Sequence, residues 1–257
     1  MTDLSRRRFL QASALVAAGL STRSALAMGE PPVQAARLIV PGLEDPRPGA
    51  LEFLMGEVQA NSSVITASEV ASLDAGSAAI FDHPLLVLAG DRGFEPLSAE
   101  ALSNLRLFVR EGGFLLVDDA TGVPDSDFDR CVRRDLGRLL PGSELSRIGR
   151  DHAVFRSYFL MRSVSGRVLV HPYLEGLWVG DITPVLYSTN DLLGALQRRP
   201  DGRWSHEVVP GRGDQRLQAR RLAMNLVLFA LTSNYKRDAV HVRTLIERMR
   251  RQGGYGD

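Results

Sequence analysis

Short apolar runs alternate with amphipathic stretches along the chain, and this alternation predicts an α/β fold. The apolar runs predict strands at 36–40, 85–89, 114–117, 168–170, 176–179 and 184–188. Apolar residues at helical spacing predict helices at 50–60, 98–111, 128–140 and 217–231, and a further helix that begins at 190–191. Strands that alternate with helices are typical of βαβ units, so we expect one mostly parallel sheet.

The N-terminus has the three parts of an export signal. Arg6 and Arg7 are followed by an uncharged stretch at 12–22, and Ala25 and Ala27 form an A-x-A cleavage site. The arginine pair is the mark of the twin-arginine form of such signals. We therefore expect export to the periplasm through the twin-arginine pathway, with cleavage after Ala27. A retained membrane anchor is the alternative, but the apolar stretch is shorter than the ~20 residues that span a bilayer.

Cleavage would leave residues 28–257, a length that suits a single α/β domain, with a basic amphipathic helix at 236–251 as its end. We expect no transmembrane span in this mature chain, because its best apolar run, 222–231, is far shorter than ~20 residues.

Charge and cysteine content exclude two classes of function. The 31 Lys and Arg nearly balance the 30 Asp and Glu, which argues against nucleic acid as a partner. The single cysteine, Cys131, falls on a predicted helix and lacks the strand-to-helix turn of a nucleophile.

Two aspartates, Asp118 and Asp119, directly follow the strand at 114–117. Ligands of open α/β sheets bind beyond the carboxyl ends of the strands, so both residues are candidates for ligand binding. Two neighbouring carboxylates favour a bound cation or a shared proton, and a divalent metal is therefore one alternative; no other cofactor is expected. Successive side chains of a strand point to opposite faces, however, so one of the two can instead cap the following loop.

Two other polar segments are candidates. Asp151 and His152 combine a carboxylate with an imidazole, which acts in other proteins as a base, a ligand or a structural contact. Ser188, Asn190 and Asp191 follow the strand at 184–188, where such residues bind polar ligands or cap a helix. We expect both segments to converge with the aspartate pair on one cleft at the carboxyl edge of the sheet.

Taken together, four segments resemble the bacterial family known as domain of unknown function 4159. They are the glycine pair, strand and aspartate pair of 105–119, the Asp–His segment 151–155, the Ser-x-Asn-Asp segment 185–192 and the end of the long helix at 225–236. The resemblance implies a flavodoxin-like fold related to class I glutamine amidotransferases, with helices on both faces of the sheet. It also implies von Willebrand-type and MoxR-associated envelope proteins as partners.

The resemblance implies no activity. Class I amidotransferases carry a cysteine on a sharp turn after a central strand, whereas this chain has Gly90 and Asp91 after one strand and Asp118 and Asp119 after the next. One hypothesis is therefore a non-catalytic ligand- or partner-binding module at the cell envelope. The alternative is a hydrolase that acts on a polar envelope or carbohydrate substrate through an Asp/His site, with or without a metal.

Overall fold

Strands of one mixed sheet form the centre of the computed structural model, which describes residues 32–252 and the side chains of residues 32–232. The strands are β1 Ala35–Ile39, β2 Ala71–Asp74, β3 Leu85–Gly90, β4 Phe114–Asp119, β5 Ser146–Arg147, β6 Glu175–Val179 and β7 Ile182–Ser188. The export segment at 1–27, with Arg6, Arg7, Ala25 and Ala27, lies outside the described residues, as do the side chains of the basic C-terminal segment.

The spatial order of the strands is β2-β1-β3-β4-β7-β6-β5. The pairs from β2 through β7 are parallel, and β6 and β5 then add to the sheet in antiparallel orientation. Five parallel strands whose order reverses next to the first strand are the flavodoxin-like arrangement. The structure therefore confirms the predicted α/β class and the mostly parallel sheet.

Helices cover both faces of this sheet, as predicted. They are α1 Ala50–Asn61, α2 Ala99–Arg110, α3 Asp127–Leu139 and the 41-residue α4 Arg212–Gln252. The buried residues of α1 and of the first half of α4 form one core with the sheet, and those of α2 and α3 form the other. Within the described residues, no helix is long and apolar enough to cross a membrane.

The sequence explains why α2 and α3 begin where they do. The Ser98 side chain accepts a hydrogen bond from the N–H of Ala101 at 3.1 Å, and Ser126 accepts one from Asp129 at 2.9 Å. Each hydroxyl satisfies one of the backbone N–H groups that a helix leaves unpaired at its start. Both helices therefore begin at the ends of the loops that follow β3 and β4.

Two predicted elements differ from the structure: one predicted strand is absent, and one predicted helix is a single short turn. Residues 168–170 form no strand, because their backbone runs beside the loop after β7. There the N–H of Val168 donates to the Asn190 carbonyl at 3.2 Å, and the N–H of Val170 donates to Asn190 Oδ1 at 2.8 Å. The helix expected to begin at 190–191 is only the 3₁₀ turn Leu193–Ala195.

Two strands, β2 and β5, were not predicted. β2 is a half-exposed edge strand, and β5 has only two residues, so neither forms a clear apolar run.

Candidate functional site

Asp118 is the penultimate residue of β4, and its side chain is completely buried. Its two oxygens accept hydrogen bonds from the backbone N–H groups of Leu192 at 2.9 Å and Leu193 at 2.8 Å. Burial, followed by the negative charge of Asp191, raises the pKa of Asp118 to about 7. Asp118 therefore holds the 3₁₀ turn after β7 against β4.

Asp119 is also completely buried but bonds to a different part of the chain. It accepts a hydrogen bond from the Ser126 hydroxyl at 2.7 Å and another from the N–H of Thr121 at 2.8 Å. Because Ser126 is the residue that caps α3, Asp119 orients that cap. The alternation of side chains along a strand thus sends the two carboxylates to separate partners.

Asp191 joins three segments at this edge. Arg47 donates to it through Nε at 2.8 Å and Nη2 at 2.6 Å, and the guanidinium of Arg167 also contacts Oδ2. The N–H of Gly194 donates to Oδ1 at 3.0 Å. The residue has a positive φ of 50°, which an aspartate tolerates better than most residues. Asp191 therefore acts as the buried anion between two arginines.

Ser188 and Asn190 complete the turn after β7, and both are completely buried. Asn190 Oδ1 accepts hydrogen bonds from the N–H groups of Val170 and His171 at 2.8 and 2.9 Å, and its amide donates to the His171 carbonyl at 2.7 Å. Gly166 packs so close to Asn190 that a Cβ there would lie 2.1 Å from the Asn190 carbonyl oxygen. Both polar atoms of the Asn190 side chain are thus engaged within the chain.

The structure does not bring Asp151 and His152 to this edge. His152 Nε2 lies 3.0 Å from the hydroxyl of Thr183 at the start of β7, five residues before Ser188. Five residues of a strand span roughly 16 Å, so the predicted convergence of all candidates on one cleft is wrong. The segment that carries His152 packs against the start of β7, whereas Ser188 lies at the other end of that strand.

His152 has a structural environment. Its Nδ1 accepts the N–H of Val154 at 3.2 Å, and its ring packs against those of Trp178 and Phe229, with centroid distances of 5.7 and 5.1 Å. Burial lowers the pKa of His152 below its ordinary value of 6.5, so the imidazole is neutral at pH 7. Asp151 beside it is exposed.

Sequence reasoning missed the arginines that balance Asp191. Arg47 follows β1 between two prolines, Pro46 and Pro48, and its Nη2 also donates to the Ala120 carbonyl at 2.9 Å. A lone basic residue in a Pro-x-Pro segment of the loop between β1 and α1 was the available signal. Its partner could not be identified, because 144 residues separate Arg47 from Asp191.

The remaining chemistry of the candidate site is limited. Within the residues described, no three His, Cys, Asp or Glu side chains are placed to hold a metal ion. The β3 exit carries Gly90, where a Cβ would lie 2.2 Å from the ring of Phe128, and then Asp91, which pairs with Arg92 at 2.9 Å. The exits of β3 and β4 thus hold carboxylates that are paired or buried, and no thiol.

The only cysteine lies instead on α3. Cys131 donates to the Phe94 carbonyl at 3.2 Å and accepts the Phe94 N–H at 3.4 Å, which ties the loop after β3 to the helix. We expect Cys131→Ser to retain partner binding and to change the free energy of unfolding by no more than about 1 kcal/mol, because a hydroxyl can form both bonds. Urea denaturation and a binding assay check this. Loss of function in a stably folded variant would revive a thiol mechanism.

Comparison with known protein families shows which family the chain belongs to. A family model described as "Domain of unknown function (DUF4159)" matches residues 39–231. The chain belongs to the DUF4159 family. The match includes Asp118, Asp119, Asp151, His152, Ser188, Asn190 and Asp191, so all the candidate site residues lie within the DUF4159 domain.

The chain was also compared with curated proteins and with solved structures. No curated protein matches the chain significantly. Among solved structures, the chain is similar to a putative ThuA-like protein from Bacteroides uniformis, at 10% sequence identity and a TM-score of 0.39. That similarity covers 78% of this chain and 92% of the ThuA-like protein.

Proposed function

We propose that this DUF4159 protein is an exported periplasmic module that binds a ligand or partner at the cell envelope and catalyses no reaction. One observation supports this proposal above all. The three carboxylates at the exits of β4 and β7, those of Asp118, Asp119 and Asp191, are buried and committed to hydrogen bonds within the chain. A reaction site needs a reactive group that can reach a substrate, and these groups instead stabilise the turns that meet at this edge.

The positions of the candidate residues argue against the hydrolase alternative. A general base must lie within hydrogen-bond reach of the atom that it serves. His152 bonds to Thr183 at the amino-terminal end of β7, whereas Asp118 pairs in register with Ser188 at the carboxyl end of that strand. A pair formed by Asp118 and His152 would have to act across roughly 16 Å.

Location and partners form part of the same proposal. The twin-arginine signal at 1–27 would deliver the folded domain to the periplasm. Family resemblance suggests von Willebrand-type and MoxR-associated envelope proteins as the partners. The domain would then act by association, as many folds with enzyme relatives do.

Affinity capture with the mature chain, residues 28–257, tests this proposal. We expect the mature chain, immobilised through a C-terminal tag, to retain a defined envelope protein in a saturable complex. A periplasmic protein of unrelated fold that carries the same tag should not retain it. The same preparation is tested on glycoside, ester and amide substrates. Turnover that disappears in Asp118→Asn but survives in Asp151→Asn, a change at an exposed position, would contradict the proposal.

A further inference from the structure

A groove of about 930 Å³ lies beside the carboxyl edge, outside the candidate residues described above. The loop from Trp204 to Pro210 forms one wall, and the first turns of α4 form the other. Its volume is in the range of small-molecule sites, which is roughly 300–1,000 Å³. Val209 and Leu217 in its lining remain partly exposed, so an occupant would also cover apolar surface.

Arginines dominate the charge of the groove. Arg212, Arg216 and Arg220 line it at intervals of four residues along one face of α4, against a single acidic lining residue, Glu207. Residues four apart on a helix are neighbours, so the three guanidinium groups share one surface. Arg220 pairs with Glu57 at 3.3 Å, outside the lining. The lining therefore carries an excess of positive charge.

Arg216 is held in place without an acidic partner in the part of the chain that the structure describes. It donates to the backbone carbonyls of Ala195 and His206. Its guanidinium lies 4.4 Å from the ring centre of Trp204, and that of Arg198 lies 4.2 Å from the same centre. Burial, followed by the charge of Arg198, lowers the pKa of Arg216. Two like charges on one indole ring favour the approach of an anion.

Trp204 is itself fixed, since Phe53 of α1 packs edge-on against it at 5.7 Å. Side chains that are immobilised before binding lose less conformational entropy when a ligand arrives. Guanidinium groups also match the geometry of phosphate and carboxylate oxygens. The groove thus combines a suitable volume, excess positive charge and a rigid aromatic wall.

We infer that this groove binds a ligand through an oxyanion, a phosphate or carboxylate group, that is contacted by Arg212 and Arg216. The inference rests on the proposed function, because it supplies the ligand site that a binding module needs. It differs from the sequence-based expectation, which placed the ligand on the buried residues after β4 and β7.

Calorimetry on the mature chain at low ionic strength tests the inference, with pyrophosphate and citrate as probes, because exposed charges are screened by salt. We expect saturable binding that Arg212→Gln weakens about tenfold, the loss typical of one hydrogen bond to a charged group. Arg212 is exposed and forms no ion pair within the described residues, so this variant should fold normally. Arg203→Gln is the control, since it removes an equal charge from a residue that pairs with Asp201 outside the lining.

Vesicles that contain phosphatidylglycerol provide a second probe. Retention that depends on Arg212 would identify a lipid headgroup as the source of the oxyanion, whereas binding of the free anions alone would identify a soluble ligand. Absence of saturable binding to every probe, or equal losses in the Arg212 and Arg203 variants, would overturn the inference. If affinity capture still yields a defined envelope partner in that case, the groove assignment fails while the binding module stands.

Discussion

Replacing Asp191 with Asn should lower the free energy of unfolding by about 3–5 kcal/mol, the usual cost of removing one partner from a buried ion pair. The carboxylate of Asp191 is fully buried, and the side chains of Arg47 and Arg167 are only 12% and 22% exposed. An amide of the same shape would leave two guanidinium groups close together without their anion. Urea denaturation at pH 7 measures the loss.

Asp201→Asn is the matched control for this experiment. Asp201 also pairs with an arginine, Arg203, but the pair lies on the surface, where solvent screens it. The control should keep the unfolding midpoint of the wild type. A loss in Asp191→Asn as small as that in the control would show that the ion pairs around Asp191 do not hold the three segments together.

Replacing Arg6 and Arg7 together with Lys should block export. The substitution keeps the charge of the N-terminus but replaces two planar guanidinium groups with ammonium groups, which do not offer the same hydrogen-bond geometry to a receptor. We expect the precursor to accumulate in the cytoplasm and the wild type to yield a periplasmic chain that begins at Met28. Cell fractionation and N-terminal sequencing measure both.

Arg8→Lys is the control for export, because Arg8 adjoins the pair without belonging to it. This variant should be exported normally. Normal export of the double variant would leave the twin-arginine assignment without support. A mature chain that retains residues before Met28 would show that the segment is kept as an anchor.

Much of the sheet could be predicted because its central strands are continuous apolar runs. Residues 85–89 and 114–117 are buried on both faces, and such strands need no partner to be recognised. The start of α3 is also a local feature, since the short polar side chain of Ser126 satisfies a free backbone N–H group of the helix. These features depend on neighbours within a few residues, which a sequence displays directly.

The candidate site could be predicted only in part, because its contacts join distant segments. The exits of β4 and β7 do meet, as expected from parallel strands, and the N–H of Asp191 donates to the Asp119 carbonyl at 3.1 Å. Asp118 is bound by a backbone turn 74 residues away, and Asp191 is bound by Arg47 and Arg167, so no local pattern reveals the partners of these two carboxylates. The position of His152 depends on the antiparallel β6–β7 pair, whose direction the sequence did not specify.

Asp118 also makes stability depend on pH. Its pKa is about 7 in the folded protein, against 3.8 for an ordinary aspartate, so folding takes up a proton between these values. The stabilisation that comes from this group is fully present at acid pH and is lost as the pH rises through 7.

A non-catalytic role requires that the carboxylate of Asp118 stays closed to ligands, and carbon-13 NMR of the aspartate carboxyl groups in the mature protein can test this. We predict that the Asp118 carboxyl signal, identified by its disappearance in Asp118→Asn, titrates near pH 7 and does not shift when Mg²⁺ is added. An Asp118 signal that moves on addition of Mg²⁺ would show an open, ligand-accessible carboxylate and contradict the proposal.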